Sequence, residues 1–332
     1  MSDKNMFRDL PKVELHLHHE GAAPPAFIRG LAKEKKVDLS KVFNDDGSYA
    51  FRDFEHFLTV YEAATQVLQS PQDFYRLTLA VLEESAAHGV VYTESFISPD
   101  FCGGRDVGAW KEYLHAIQEA ADKAEAEHGI ILRGIVTHIR HFGPDKARET
   151  ARCAAETAGD WIVGYGMGGA ELMGTQGDFA YSFDMAREAG LHLTTHAGEW
   201  GGAASVREAL TQLRGIKRIG HGVQAIEDDA LVAELADKGI VLEVCPVSNV
   251  ALGVFPSFEA HPIKKLRDAG VKVTVSTDDP PFFHATMTRE YQELHRAFGW
   301  DERDFADLNR VAAEAAFCDE ATRERVLARL KG

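Results

Sequence analysis

Short apolar, β-branched runs alternate with Ala/Glu/Arg/Leu-rich segments of helical spacing from end to end of this chain. The strand candidates lie at 13–18, 90–97, 130–139, 161–167, 191–196, 218–223, 240–247 and 271–277. Between them the spacing predicts helices over 74–87, 110–127, 147–158, 179–189, 203–213, 228–238 and 263–269. Gly89, Gly129, Gly159, Gly190, Gly239 and Gly270 each stand just before a strand, where a helix C-terminus favours glycine. Eight short buried strands alternating with helices predict an α/β fold, a single (β/α)8 barrel of the TIM type. A doubly wound open sheet is the competing arrangement. The 332 residues suit one barrel domain spanning 1–332.

The segment 24–70 is long for one β-to-α connection. Phe27, Ile28 and Leu31, then Phe51, Phe54, Phe57, Leu58 and Tyr61, recur at roughly helical spacing. The segment is therefore expected to form inserted helices over the barrel's mouth. A lid that excludes water is the functional reading; ordinary helix packing accounts for the individual aromatics. After Asp301 the chain reads as helical.

Composition narrows the function classes. Apolar residues make up 45%, enough for a large core. The formal net charge is −16 with no basic block, which argues against nucleic acid or an anionic membrane as partner. No uncharged apolar run approaches the ~18 residues that span a bilayer, and the N-terminus shows no apolar signal core. Cys102, Cys153, Cys245 and Cys318 lie far apart and form no C-x-x-C pair, so they read as reduced, mostly buried thiols. A cytoplasmic location is expected, and no feature specifies an oligomeric state.

The chemistry sits where the strands end. His16 and His18 end the first, His196 the fifth and His221 the sixth, and Asp278-Asp279 follows the last. In a barrel the C-terminal ends of all strands face one mouth, so these side chains converge. Alternation by two puts His16 and His18 on the same side of their strand. Three neutral imidazoles and one carboxylate suit Zn²⁺ with a solvent position left open. Such a site lowers the pKa of its water to about 7. Glu199, on the turn after His196, is placed to protonate a ring nitrogen of a substrate. His221 is placed to orient the hydroxide or steady a developing oxyanion, and Asp278 to ligate and to accept the water's proton. One strand-end histidine is more often structural than functional; the weight lies in several strands ending alike. His138, His141 and His261 stay open, and the remaining histidines fit helices, loops or outer strand faces. No lysine occurs in 161–171 or 134–142 to bridge a second metal, so one ion per chain is expected. Gly164-Tyr-Gly166-Met-Gly-Gly169 matches the dinucleotide pattern G-x-G-x-x-G, but on the fourth strand and before a glycine-interrupted segment. Those glycines are expected instead to let a backbone amide approach a flat ligand.

Together these residues resemble the adenosine deaminase family of amidohydrolase-type barrels. The matching stretches run in order through Leu10-Pro-Lys-Val-Glu-Leu-His16-Leu-His18, Gly164 to Glu171, His196-Ala-Gly-Glu199, Gly220-His221-Gly222, Cys245-Pro-Val-Ser-Asn249 and Ser276-Thr-Asp278-Asp279-Pro280. The resemblance implies one Zn²⁺ held by His16, His18, His196 and Asp278. It implies catalysis by Glu199, His221 and Asp278, with substrate contacts from His18, Glu20, Gly169 and Asp279. Within it, Glu199 protonates purine N1, Asp279 contacts N7 and the Gly169 backbone donates to N3. The implied reaction is hydrolytic deamination of adenosine or 2′-deoxyadenosine at C6, with ammonia released; adenine as free base, or a modified 6-aminopurine, is the alternative. Departures from the family pattern bear on that choice. The family's adenosine enzymes usually carry Leu-Asp-Gly after the first histidine pair. Here His19-Glu20-Gly21 stands there and is more similar to the adenine deaminases. Gly168-Gly169-Ala170-Glu171 replaces the usual Ala-Gly-Asp-Glu. Gly220 before His221 is similar to the nucleoside enzymes.

Overall fold

A computed structural model describes residues 6–331. Nine parallel strands carry the fold: Lys12–His18 (β1), Val90–Ile97 (β2), Ile131–Ile139 (β3), Ile162–Gly168 (β4), His192–Leu193 (β5), His196–Ala197 (β6), Arg218–His221 (β7), Val241–Val244 (β8) and Lys272–Val275 (β9). They pair in the orders β1-β2-β3-β4-β5 and β6-β7-β8-β9. β5 and β6 are two halves of one stave. Across the break, Thr194 N–H donates to Tyr165 O (3.1 Å) and Gly220 N–H to Thr195 O (2.8 Å). The last edge meets the first through His18 N–H to Asp278 O (2.9 Å) and Asp278 N–H to His16 O (3.1 Å). The closed result is the (β/α)8 barrel that the alternation predicts, with no free sheet edge. The open doubly wound sheet is excluded by that closure.

Local chemistry explains the elements. β2 is buried at every position, because parallel strands covered by helices face no water. The helix Val107–His128 starts under an Asp106 side-chain cap and ends on Gly129 at φ 73°. Gly239 closes Asp229–Lys238 in the same way. Gly159 does not cap: the helix Pro144–Ala155 stops earlier, at Glu156.

The aliphatic core lies between the staves and the outer helices, whereas the barrel's interior is polar. Arg218 is 1% exposed and pairs with Glu94 (2.6 Å) and Glu243 (2.6 Å), and Glu243 in turn holds His16 (2.9 Å). The N-terminal end of the barrel is plugged by Phe317, which packs on Phe96, Ile135 and Val163 with the Arg218 guanidinium over its ring. The helices Glu302–Ala315 and Glu320–Arg329 close that end, as the helical reading after Asp301 predicts. No helix among the described residues is long and apolar enough to cross a membrane.

The insertion forms Pro25–Lys35 (α1) and Phe54–Thr65 (α2). Asp53 caps α2 by accepting from His56 N–H, worth about 1 kcal/mol. Phe54, Phe57, Leu58 and Tyr61 share one face of α2. Phe57 packs on Phe282 (5.1 Å) and Phe283 (5.3 Å), in the short helix that follows Asp279. Burying one such ring contributes about 2–3 kcal/mol, so α2 is fastened directly above the strand ends.

Candidate active site

His16, His18, His196 and Asp278 meet at the C-terminal mouth, their ligand atoms all within 4.8 Å of one another. Asp278 Oδ1 lies 3.3 Å from His16 Nε2 and 3.2 Å from His18 Nε2, and the Nε2 atoms of His18 and His196 are 3.1 Å apart. Ligands held about 2.0–2.1 Å from a tetrahedral centre stand about 3.3–3.4 Å from each other, so the spacing fits one ion of that kind. His16 Nε2 is buried with no hydrogen-bond partner, the mark of an atom shaped for a metal. The far nitrogens are committed elsewhere. His16 Nδ1–H donates to Glu243 and His196 Nδ1–H to Met167 O (2.6 Å), which turns both Nε2 lone pairs toward the centre. Burial, then the neighbouring imidazoles, pushes His196 well below its usual pKa range, and burial lowers His18. Burial also opposes charge on His16, but the Asp278 and Glu243 carboxylates on either side of the ring outweigh it and raise His16 to about 9.

Glu199 lies 5% exposed beside the quartet, its Oε2 3.8 Å from His221 Nε2 and its Oε1 buried without a partner. Burial, then the charges of Asp278 and Glu171, hold its carboxyl well above the usual range. Asp279 Oδ1 is likewise buried and unpartnered, and burial with the charges of Asp278, Glu199 and Glu20 raises it well above its usual range. His221 and Asp278 both sit at positive φ, 61° and 69°. Such backbone costs roughly 1–3 kcal/mol per residue and survives only where the surroundings impose it.

Further residues that the sequence did not assign a role hold these side chains and the turn before them. Glu171 accepts from the N–H groups of Gly198 (2.5 Å), Glu199 (3.0 Å) and Trp200 (2.6 Å) and from Ser205 Oγ–H (2.6 Å). One carboxylate thus clamps the turn that carries Glu199. Ser248 Oγ–H donates to Asp278 Oδ2 (2.7 Å), and Asn249 Nδ2 reaches His221 Nδ1 (3.2 Å). Glu171, Ser248 and Asn249 all fall inside the stretches that carry the family resemblance, which is the signal that pointed at them. Glu243 carries no such signal.

A cavity with about 570 Å³ of empty space opens above the quartet, lined among others by His18, Gly169, His196, Glu199, His221, Asp278 and Asp279. Every expected site residue is in this cluster except two. His16 lies beneath it, and Glu20 stands behind its wall, accepting from Ser98 N–H (3.3 Å) and Tyr61 O–H (3.4 Å). Gly169 has φ 93°, and a Cβ there would stand 2.6 Å from His141 Nδ1, so only glycine fits. Gly164 and Gly166 pack against neighbouring staves, with a Cβ on Gly164 meeting Phe317 at 2.9 Å. Neither opens a phosphate-binding turn. His138 is buried against Tyr165, Phe179 and Phe183, away from the mouth.

A second, wider cavity, open to solvent, lies outside the first. Phe54, Leu58, Glu62, His141 and Leu252 line both and form the wall between them. His141 Nδ1 accepts from Ala170 N–H (3.2 Å), which leaves Nε2–H to donate to Glu62 Oε1 (3.0 Å) on α2.

The family model described as adenosine deaminase matches residues 11–332. The chain belongs to that family. It is a hydrolase that deaminates a purine amidine. Similar proteins named adenine deaminase include one from Rhizobium rhizogenes, 48% identical over 98% of this chain and 100% of its own length. Another, from Agrobacterium fabrum, is 46% identical over 98% of this chain and 99% of its own. Among solved structures, adenine deaminase from Arthrobacter aurescens superposes with a TM-score of 0.88 at 31% identity, covering 97% of this chain and 98% of that one. An amidohydrolase from B. ambifaria, solved with bound Zn, gives 0.87 at 27% identity over 100% and 92%. These relatives overturn the expectation of adenosine or 2′-deoxyadenosine as substrate, because the full-length ones are named for adenine. Glu62 and His141 stand in the wall that the inner cavity shares with the outer one.

Proposed function

We propose that this chain hydrolyses adenine as the free base, adding water at C6 and releasing the 6-oxopurine and ammonia. The observation that carries the chemistry is a pair of unpartnered buried carboxyl oxygens, Glu199 Oε1 and Asp279 Oδ1. Both line the cavity above the His/Asp quartet. Full-length similarity to adenine deaminases supports the choice of base. His16, His18, His196 and Asp278 are the residues to hold one Zn²⁺, which when bound supplies a Lewis acid and a water acidified to about pKa 7.

The chain's own residues do the rest. A carboxyl kept protonated by burial and neighbouring charge is a hydrogen-bond and proton donor at neutral pH. Glu199 therefore gives its proton to a ring nitrogen, N1, and makes C6 more electrophilic. Asp279 meets N7, and the Gly169 backbone approaches the opposite edge at N3. His221 directs its Nε2 at the attacking oxygen, and Asp278 takes up the proton that oxygen sheds. Glu20 braces the wall through Tyr61 and adds to the charge that keeps Asp279 protonated. α2 acts as the lid that keeps bulk water out of the cavity, within a single catalytic domain over 1–332. The test follows loss of purine absorbance with zinc-replete protein and adenine, adenosine and 2′-deoxyadenosine in parallel. Turnover of adenine with the nucleosides inert is expected; turnover of the nucleosides alone sinks the proposal.

A further inference from the structure

A hydrogen-bond chain runs away from the active site behind His221, through residues with no place in the proposed reaction. Its far end is the backbone N–H of Ile263, which points at His261 Nδ1 at 3.2 Å. A backbone amide has one hydrogen and only donates, so His261 Nδ1 must be the acceptor. Burial, then the nearby His221, holds His261 down at about 3, so the ring is neutral and its proton sits on Nε2. That Nε2–H lies 3.1 Å from Asn249 Oδ1. With its oxygen facing His261, Asn249 turns its NH₂ toward His221, 3.2 Å from Nδ1. His221 Nδ1 therefore accepts, and the proton of the ring stands on Nε2. Asn249 (0%), His261 (2%) and His221 (1%) are all buried.

We infer that His261 and Asn249 are positioning residues that fix the tautomer of His221, so that an N–H faces the reacting atoms. Nε2 is 3.8 Å from both Glu199 Oε2 and Asp278 Oδ2, on the pocket side of the quartet. An N–H there donates to an attacking or developing anionic oxygen; it does not remove a proton from water. The direction of the chain is set by one backbone hydrogen roughly 40 residues along from the ring it orients, beyond the helix Asp229–Lys238, the stave β8 and the short helix Pro246–Ala251. The inference rests on the proposed reaction only where it gives that N–H a role in turnover.

The test is ¹⁵N NMR of histidine-labelled, zinc-loaded protein, with the His221 signal assigned by its loss in His221→Gln. The expected spectrum has the His221 proton on Nε2; a proton on Nδ1 overturns the inference without any relay variant being needed. Asn249→Asp replaces the amide by a group that only accepts, at nearly unchanged shape. It should draw the His221 proton onto Nδ1, leave zinc content unchanged, and lower kcat on adenine about 10²–10³-fold, the usual loss for one oxyanion donor, with KM little altered. An unmoved His221 proton in that variant also overturns the relay. A moved proton with kcat intact leaves the relay standing and removes His221 from the proposed reaction. If adenine is not a substrate while the proton is on Nε2, the substrate reading fails and the relay holds.

Discussion

At the scale of single residues, burial and neighbouring charge push the carboxyl groups of the site in opposite directions, Glu199 and Asp279 up and Asp278 down. Asp278 is buried, yet the His16 and His18 rings beside it keep it well below the usual range. Glu199, with no partner on Oε1, is held up. Glu199→Gln keeps the shape and removes the proton, so kcat should fall about 10²–10⁴-fold. Metal content measured by atomic absorption should stay at the wild-type level; near-normal turnover removes Glu199 from the proton-donor role. Glu171 tests the geometry behind it. Glu171→Gln sets an NH₂ against a cluster of N–H donors and forfeits at least one acceptor, a penalty of about 1–3 kcal/mol. Urea unfolding should show that loss, together with a kcat lowered more than KM is raised. An unchanged unfolding midpoint means the turn is held by something else.

At the scale of elements, α2 is the piece that separates the two cavities. Its Phe57 anchors it to the Phe282-Phe283 pair, and its Glu62 reaches His141 across the wall. Glu62 is 44% exposed, so the pair adds little to stability. Its place is local, in the wall that the two cavities share. Glu62→Ala should leave the melting temperature unchanged, weaken KM for adenine, and raise the ratio of adenosine to adenine kcat/KM by about tenfold or more. A ratio that does not move means the wall plays no part in excluding the sugar.

At the scale of the whole molecule, the barrel joins its two ends through a buried ionic column. Phe317 covers Arg218 at the N-terminal end; Glu94 and Glu243 flank the guanidinium; Glu243 carries the link to His16 at the mouth. Removing the cation leaves buried carboxylates uncompensated. Arg218→Met should therefore lower stability by about 3–5 kcal/mol in denaturant unfolding. Through the loosened Glu243–His16 bond, it should also weaken zinc retention about 10–100-fold in chelator competition. Intact metal affinity in a destabilised variant uncouples the column from the site. The holoprotein should also melt at a higher temperature than the chelated one, since a ligand bound only by the folded state adds stability by mass action.

How much of this was legible in one dimension follows from the range of the forces involved. The alternation of strand and helix, the cap at Gly129, the helical spacing of Phe54, Phe57, Leu58 and Tyr61, and the convergence of His16, His18, His196 and Asp278 are all written locally. Periodicity and strand polarity act between near neighbours, and barrel closure then carries strand ends to one mouth whatever the rest of the chain does. The stave broken into His192–Leu193 and His196–Ala197 reads in sequence as one run, because its break depends on partners in β4 and β7. Which purine the site takes is not legible in the same local way. The nucleoside-like Gly220-His221-Gly222 pulled against Glu20, while Glu62 and His141, which meet in the wall between the two cavities, are 79 residues apart. Glu243 behind His16 is 227 residues away, and Asn249 behind His221 is 28. Which nitrogen of a histidine carries the proton depends on hydrogen bonds about 3 Å long between such distant residues. The sequence determined which groups reach the mouth; only the folded chain decided which of their atoms hold protons and how much room they leave.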